Sequence, residues 1–76
     1  MNDKLLTNLA EALEMEVSEI KLLDSFRDYD TYSSLTELSV LAMLDSEFGI
    51  EIEMEEFENY ITVNDLVKLV AGRSSR

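Results

Sequence analysis

The sequence predicts a small all-α domain: a bundle of four helices with a long first connection and a short third helix. Two observations lead to this fold class. Apolar residues recur with a helical period in several segments, and the one segment that alternates like a strand has no second segment to pair with. A chain of 76 residues forms one domain with a modest core, because it buries only about 60–65% of the surface that its unfolded form exposes.

The first predicted helix covers Asp3 to Met15, and Asn2 and Asp3 are suitable residues to cap it. Its apolar stripe consists of Leu5, Leu6, Leu9, Ala10 and Leu13. The next stretch, Val17 to Tyr32, does not hold a helical register. We expect a long loop with one short helical turn near Ser18, attached to the core through Val17, Ile20, Leu22, Leu23 and Phe26. Loops of this length are uncommon in compact domains and are often functional.

The second predicted helix covers Ser34 to Phe48, and Gly49 can take a positive φ and end it. Ser33 and Ser34 are both ordinary N-cap residues, and Ser34 with Glu37 three residues later fits a capping box. The core face of this helix is predicted to contain Leu35, Leu38, Leu41, Ala42 and Phe48, widened by Val40, Met43 and Leu44.

The segment after Gly49, IEIEM, is predicted to be a connector that buries Ile50 and Ile52. A short helix is expected from Glu55 to Tyr60. These assignments complete the middle of the chain without a strand.

The last predicted helix opens at Thr62, where Asp65 completes a variant of the capping box. Its apolar stripe contains Val63, Leu66, Val67 and Val70. Gly72 is expected to end the helix, so that the ordered core covers about residues 3–71 and residues 72–76 form a tail.

Composition excludes several classes of function. The sequence contains no Cys and no His, which removes disulfides, thiolate chemistry, the commonest general base and the commonest metal ligand. Ser-His-Asp and Cys-His catalysis are therefore excluded within this chain. No run of 18 apolar residues occurs, and the first residues lack the pattern of a secretory signal, so we expect a cytoplasmic protein.

The net charge of −11 is concentrated in one segment. From Asp28 through Val67 there are 11 acidic residues and no Lys or Arg, whereas the two flanks together hold six charges of each sign. Such a surface repels nucleic acid and anionic membranes, and it speeds encounters with basic proteins. We expect partners with basic patches, no nucleic acid and no membrane insertion. A solvated surface that serves solubility is the alternative.

Two other acidic patterns fit poorly with a binding or catalytic site. The stretch that begins at Asp28 starts like an EF-hand loop, but it lacks Gly at position 6 and Glu at position 12. We interpret the pairs Glu51 with Glu53 and Glu55 with Glu56 as a solvated surface rather than as acid–base pairs. We expect no metal site and no catalytic carboxylates.

The adjacent serines remain as the candidate site. Taken alone, they fit a helix cap. A phosphate esterified to Ser34 would also be stabilised there, because the N-terminus of a helix offers unpaired N–H groups and a positive dipole end.

Three segments together resemble the acyl carrier protein family. The second helix of that family opens with Asp-Ser-Leu and ends in an acidic-Phe-Gly-Ile-acidic-Ile run, and here SSL begins at Ser33 and EFGIEI spans Glu47 to Ile52. ITVNDLVKLV, Ile61 to Val70, is similar to the last helix of the family. The resemblance covers about residues 3–71 and implies a four-helix carrier.

The resemblance implies that Ser34 accepts 4′-phosphopantetheine from coenzyme A through a phosphopantetheinyl transferase. Acyl groups would be held as thioesters on the thiol of that arm, which explains how a chain without Cys or His could serve acyl chemistry. The implied protein is a monomeric carrier without catalytic activity, used by enzymes of fatty acid, lipid or specialised biosynthesis.

The resemblance also implies a partner-binding surface on the second helix. Glu37, Asp45 and Glu47 would contact basic patches on partner enzymes. Leu35, Leu38 and Met43 would lie near the arm or on the face that meets an acyl chain, with packing in the core as the alternative, which we favour for Leu38.

The sequence departs from the family pattern beside the attachment serine. Ser33 stands where Asp is usual, which adds a second hydroxyl as an alternative attachment site and removes a carboxylate that helps the transferase engage. Thr36, Ser39 and Ser46 stand where acids are common, and Tyr32 stands where divergent carriers often have Trp. The Ser33 departure favours a second hypothesis, a carrier-like acidic interaction module that is never modified.

Overall fold

The computed structural model describes residues 2–73, which form four α-helices and two 3₁₀ turns. The helices are α1 (Asn2–Leu13), α2 (Ser34–Phe48), α3 (Met54–Phe57) and α4 (Val63–Arg73). The 3₁₀ turns, Val17–Glu19 and Phe26–Asp28, lie in the connection between α1 and α2. Within the described range there is no β-strand, so the predicted all-α fold with a short third helix is confirmed. No helix of that range is long and apolar enough to cross a membrane.

The core is built from one face of each helix, from two residues of the first connection and from Ile50 in the segment after α2. Phe26 and Phe57 are both fully buried, and their ring centroids lie 5.6 Å apart. Around them lie Leu5, Leu9, Ala10, Leu13, Ile20, Val40, Met43, Leu44, Ile50, Val63, Leu66 and Leu69. The apolar stripes predicted for α1 and α4 supply six of these twelve residues. The stripe predicted for α4 was wrong in part, because Leu69, which it omitted, is buried, whereas Val67 and Val70 are only partly buried.

The first connection is hydrogen-bonded to the start of α4. The Phe26 N–H donates to the Ile61 carbonyl at 3.2 Å, and the Val63 N–H donates to the Asp24 carbonyl at 3.0 Å. Ile20 and Phe26 are buried, as expected, and the predicted helical turn near Ser18 is present. The connection is therefore a fixed part of the fold although it contains little helix.

Three apolar residues of the connection do not reach the core as expected: Val17, Leu22 and Leu23 are exposed. Val17 lies in the first 3₁₀ turn, whereas the other two lie in a turn closed by the hydrogen bond from the Asp24 N–H to the Lys21 carbonyl. Such tight turns direct some of their side chains to solvent.

The predicted core face of α2 was wrong in part. Leu35, Leu38 and Ala42 are exposed, and Leu41 and Phe48 are only partly buried. The buried residues are Thr36, Val40, Met43 and Leu44. They occupy positions i, i+4, i+7 and i+8 of one helical face, which begins at a threonine rather than at a leucine. The sequence-based choice followed the largest apolar residues and missed the polar member of the face.

The turn after α2 and the capping of α4 follow the predictions. Gly49 has φ 67° and ends α2, and Ile50 is buried while Ile52 is partly buried. At α4, the Asp65 N–H donates to Thr62 Oγ1 at 3.1 Å, and the Thr62 N–H donates to Asp65 Oδ2 at 3.0 Å. These reciprocal bonds form the predicted capping box.

The predicted limits of three helices differ from the structure. Helix α1 begins at Asn2, one residue before the predicted start, and ends at Leu13, two residues before the predicted end. The third helix begins at Met54 and ends at Phe57, earlier than expected at both ends. Helix α4 continues through Gly72 to Arg73, whose side chain pairs with Glu56, and this contact holds the last turn against α3. Of the predicted tail, residues 74–76 lie outside the described residues.

Alanine substitutions at two leucines of α2 should distinguish the observed core face from the predicted one. Leu44→Ala should lower the free energy of unfolding by about 2–5 kcal/mol, because it leaves a cavity among fully buried side chains. Leu38→Ala on the same helix should change it by less than about 0.5 kcal/mol, because Leu38 is 53% exposed. Urea unfolding followed by circular dichroism measures both, and equal losses would contradict the assigned face.

Asp65 should make the stability depend on pH. Backbone N–H groups of Thr62 and Ile61 donate to its carboxylate and hold the pKa of Asp65 below its usual range. A carboxyl with a lowered pKa stabilises the fold above its usual pKa, and this stability is lost as the pH falls through the lowered value. Asp65→Asn should therefore be less stable than the unaltered chain at neutral pH, and the difference should shrink in acid. Urea midpoints measured over a pH series test this, and a difference independent of pH would contradict it.

Candidate functional site

The first turn of α2 is capped by Ser33. Its Oγ accepts from the Thr36 N–H at 3.4 Å, and the Ser33 N–H donates to Thr36 Oγ1 at 2.7 Å. The Ser33 carbonyl accepts the first helical bond, from the Glu37 N–H, at 2.8 Å. The capping box that the sequence suggested for Ser34 and Glu37 was therefore wrong by one residue, because Ser33 and Thr36 form it.

Thr36 explains how a polar residue can begin the buried face of α2. It is only 5% exposed, and its hydroxyl lies 3.1 Å from both the Thr31 and the Ser33 carbonyl oxygens. It can donate to one of them while it accepts from the Ser33 N–H. A buried hydroxyl with these partners avoids the cost of an unpaired polar group. The capping box thus attaches the first turn of α2 to the loop before it.

Ser34 is the first residue of α2, and its side chain is exposed. Within residues 2–73 its hydroxyl makes no hydrogen bond, in contrast to that of Ser33. The N–H groups of Ser34 and Leu35 belong to the first turn, where no intrahelical carbonyl precedes them to accept a bond. A free hydroxyl and two free backbone donors therefore lie together at the start of a helix of 15 residues.

This arrangement can hold a phosphate ester but cannot activate the serine. The dipole of a long helix and its first N–H groups stabilise negative charge at this end. The sequence contains no His, and no carboxylate in residues 2–73 is hydrogen-bonded to the Ser34 hydroxyl. In the same part of the chain no three potential metal ligands lie together. The described residues therefore place no base on the Ser34 hydroxyl.

Glu37 is turned toward the loop that precedes α2. Its carboxylate accepts from the Tyr32 hydroxyl at 2.7 Å and lies 3.4 Å from Arg27 Nη1. The Glu37 side chain is 19% exposed. Burial, and then the hydrogen bond to Glu37, raise the pKa of Tyr32 above its usual value. The Glu37 carboxylate, which the sequence suggested as a partner contact, is thus partly buried and contacts two residues of the first connection.

Arg27 connects this pair to the third helix. Its Nη2 donates to the Phe57 carbonyl at 2.6 Å, and its Nε donates to the Tyr60 carbonyl at 3.0 Å. The guanidinium carbon also lies 5.1 Å from the centroids of the Phe26 and Phe57 rings. Helix α3 has only four residues and could not persist alone. Arg27 binds its last carbonyl and so helps to hold it in place.

The other predicted contact residues differ in exposure. Leu35 is 77% exposed beside Ser34, and Asp45 and Glu47 are exposed near the other end of α2. Met43 is 7% exposed and belongs to the core. Its edge lines an open groove of about 340 Å³ between α1 and α2, which Glu47 also lines.

The sequence did not indicate the roles of three residues that shape the site. Tyr32 bonds Glu37, Arg27 bonds the end of α3, and Thr36 completes the cap of α2. Tyr32 precedes the cap and Glu37 is the fourth helical residue, which is the spacing of a hydrophobic staple. That spacing could have indicated the Tyr32–Glu37 pair if Ser33 had been chosen as the cap. The sequence indicates less about Arg27. Its one notable feature there is that it is the last basic residue before the acidic segment, Asp28 through Val67.

Comparisons with known proteins identify the family. A family model described as "Phosphopantetheine attachment site" matches residues 3–70. The chain is also similar to an acyl carrier protein of Exiguobacterium sibiricum, with 39% identity over 62 residues that cover 82% of this chain and 78% of the relative. The chain therefore belongs to the acyl carrier protein family. Members of this family are carriers rather than catalysts, and their prosthetic group is a covalently attached 4′-phosphopantetheine.

The residues at the start of α2 fit this prosthetic group. The Ser34 hydroxyl is free to form the ester, the N–H groups of Ser34 and Leu35 are free to face its phosphate, and Ser33 keeps the helix capped. When bound, the group supplies the thiol that holds acyl groups as thioesters. Ser34 would supply the attachment oxygen, and the first turn of α2 would surround it.

The two serines should differ in their effect on stability. Ser33→Ala should lower the free energy of unfolding by about 1 kcal/mol, because it removes the cap of α2. Ser34→Ala should change it by less than about 0.5 kcal/mol, because the Ser34 hydroxyl is exposed and unbonded. Thermal unfolding of the two variants side by side measures this. A larger loss for Ser34→Ala would reverse the assignment of the cap.

Proposed function

We propose that Ser34 receives 4′-phosphopantetheine from coenzyme A and that the chain then delivers acyl groups to partner enzymes of fatty acid, lipid or specialised biosynthesis. One observation carries the proposal: Ser34 exposes a free hydroxyl at the first position of α2 in a chain of this family. In the transfer, Ser34 Oγ forms a bond to the phosphorus that bears pantetheine. The pyrophosphate bond of coenzyme A breaks, adenosine 3′,5′-bisphosphate leaves, and the hydroxyl proton goes to a base of the transferase.

Ser33 is the weaker acceptor for a structural reason. Its Oγ already accepts from the Thr36 N–H, and an arm attached there would disturb the cap of the helix. The cap also accounts for part of the departure from the family pattern. Asp and Ser are about equally good N-cap residues, so Ser33 can do the capping that an Asp would do. What the substitution removes is a negative charge beside Ser34.

The proposed partner contacts are Leu35, Asp45 and Glu47. All three are exposed on α2, and the two acids lie in the segment that contains no Lys or Arg. Basic patches on partner enzymes would be attracted to these acids, while Leu35 would meet an apolar surface beside the arm. Glu37 and Met43 are less suited to this role, since one is bound to Tyr32 and the other is buried.

Intact mass spectrometry tests the attachment directly. Incubation with coenzyme A and a broad-specificity phosphopantetheinyl transferase should add one phosphopantetheine to the unaltered chain and none to Ser34→Ala. Ser33→Ala, the matched control, should still gain it. Ser33→Asp should be modified faster than the unaltered chain, because it restores the charge that helps the transferase engage.

The rival function, an acidic interaction module that is never modified, predicts a different outcome. The unaltered chain would then show no mass gain under conditions in which a control carrier is fully modified. A gain that survives in Ser34→Ala but disappears in Ser33→Ala would move the attachment to Ser33.

A further inference from the structure

The residues on either side of Ser34 are joined by a short hydrogen bond. Tyr32 immediately precedes the cap, Glu37 is the fourth residue of α2, and Tyr32 Oη donates to Glu37 Oε2 at 2.7 Å. These are the two positions that a hydrophobic staple connects at the N-terminus of a helix, where it fixes the entry of the chain. Here a polar bond makes that connection, and we call the Tyr32–Glu37 pair the polar staple. Ser33 and Ser34 lie between its two residues in the sequence.

Tyr32 is itself held by the first connection. Its ring centroid lies 5.8 Å from that of Phe26, which is fully buried, and 5.9 Å from the guanidinium carbon of Arg27. Its N–H donates to the Tyr29 carbonyl at 3.0 Å. Since this end of the staple is attached to the core, the bond to Glu37 ties the first turn of α2 to a fixed point.

The contacts of Glu37 are unequal in strength. At 2.7 Å, the bond from the Tyr32 hydroxyl has the length of a strong hydrogen bond to a carboxylate, and the carboxylate is partly shielded from water. The Arg27 contact is longer, at 3.4 Å, and Arg27 Nη2 forms its short bond with the Phe57 carbonyl instead. The hydroxyl bond, rather than the ion pair, is therefore the main constraint on Glu37.

We propose that the polar staple is a positioning device for the transfer reaction: Tyr32 and Glu37 hold the first turn of α2 so that the Ser34 hydroxyl faces the transferase in one arrangement. The inference rests on the proposed function of Ser34. Tyr32 and Glu37 act through the backbone of residues 33–36 and do not touch the reacting atoms. The capping box of Ser33 and Thr36 is nested inside the staple, and together they leave Ser34 little freedom.

Tyr32→Phe tests this with a small change, because it removes one hydroxyl and keeps the ring on Phe26. If the first turn then samples several arrangements, the apparent affinity of the transferase falls with the population of the competent one. We expect kcat/KM for transfer to Ser34 to fall about tenfold, as for the loss of one hydrogen bond to a charged group, mostly through KM.

Tyr29→Phe is the matched control. The Tyr29 hydroxyl also donates to a carboxylate at 2.7 Å, that of Asp24, in the same connection but away from α2. Burial, and then that bond, raise the pKa of Tyr29 to about 12. This variant should lose comparable stability and should keep KM within about twofold. Equal KM values for the two variants would overturn the proposal.

Two substitutions of Glu37 separate the hydrogen bond from the charge. Glu37→Gln keeps a carbonyl oxygen for the Tyr32 hydroxyl and should keep KM within about twofold, whereas Glu37→Leu should match Tyr32→Phe. The double variant Tyr32→Phe with Glu37→Leu should lose clearly less than the sum of the two single losses, since both remove the bond between these side chains. Each single variant also removes one longer contact with Arg27 Nη1, at 3.3 Å for the Tyr32 hydroxyl and 3.4 Å for Glu37. Additive losses, or a Glu37→Gln as impaired as Glu37→Leu, would contradict the staple.

Amide hydrogen exchange of the unmodified chain gives a readout that does not need the transferase. Tyr32→Phe should speed exchange at the amides of Thr36, Glu37 and Leu38, and Tyr29→Phe should leave them unchanged. If the unaltered chain is not modified at Ser34, the proposed function fails. The exchange rates then still show whether the polar staple orders the first turn of α2. If Ser34 is modified but exchange and KM do not respond to Tyr32→Phe, the staple inference alone fails.

Discussion

The contact between Phe26 and Phe57 is the interaction on which the two least regular parts of this fold, the first connection and α3, depend. Phe26 lies in a connection with only two 3₁₀ turns, and Phe57 ends a helix of four residues. Neither segment has enough hydrogen bonding of its own to persist, so each relies on burying its phenyl ring against the other. Arg27 strengthens this junction by binding the Phe57 carbonyl while it faces both rings. The start of α2 is then attached to the same junction through Tyr32.

The two adjacent serines differ in their role at the start of α2. Ser33 and Thr36 form the capping hydrogen bonds at this helix end, so the cap does not require the Ser34 side chain. The chain thus has a capping hydroxyl and an exposed hydroxyl on two neighbouring residues of the same type.

Most of the fold could be predicted from the sequence because its signals are local. The stripe of α1, the Gly49 turn and the Thr62–Asp65 cap each need only a few neighbouring residues to be recognised. The buried face of α2 could not be predicted, because apolar residues occur on all sides of this helix. Burial of Thr36 depends on carbonyl groups that accept from its hydroxyl, and the sequence does not show that they lie nearby. The same limit applies to the site. Sequence pattern and family resemblance led to Ser34, but the bond between Tyr32 and Glu37 depends on where the loop folds.

The inward position of Arg27 has a consequence for how copies of this protein meet. Arg27 is the only cation between Lys21 and Lys68, and its guanidinium is bound to carbonyls and aromatic rings rather than free on the surface. Lys4 lies close to the end of α2, since its Nζ donates to the Glu47 carbonyl at 3.2 Å, but the 11 acids from Asp28 through Val67 far outnumber the cations near them. Two such acidic faces repel each other over about one Debye length, roughly 8 Å at physiological ionic strength. Collisions between two copies are discouraged at this face, while a basic protein is drawn to it.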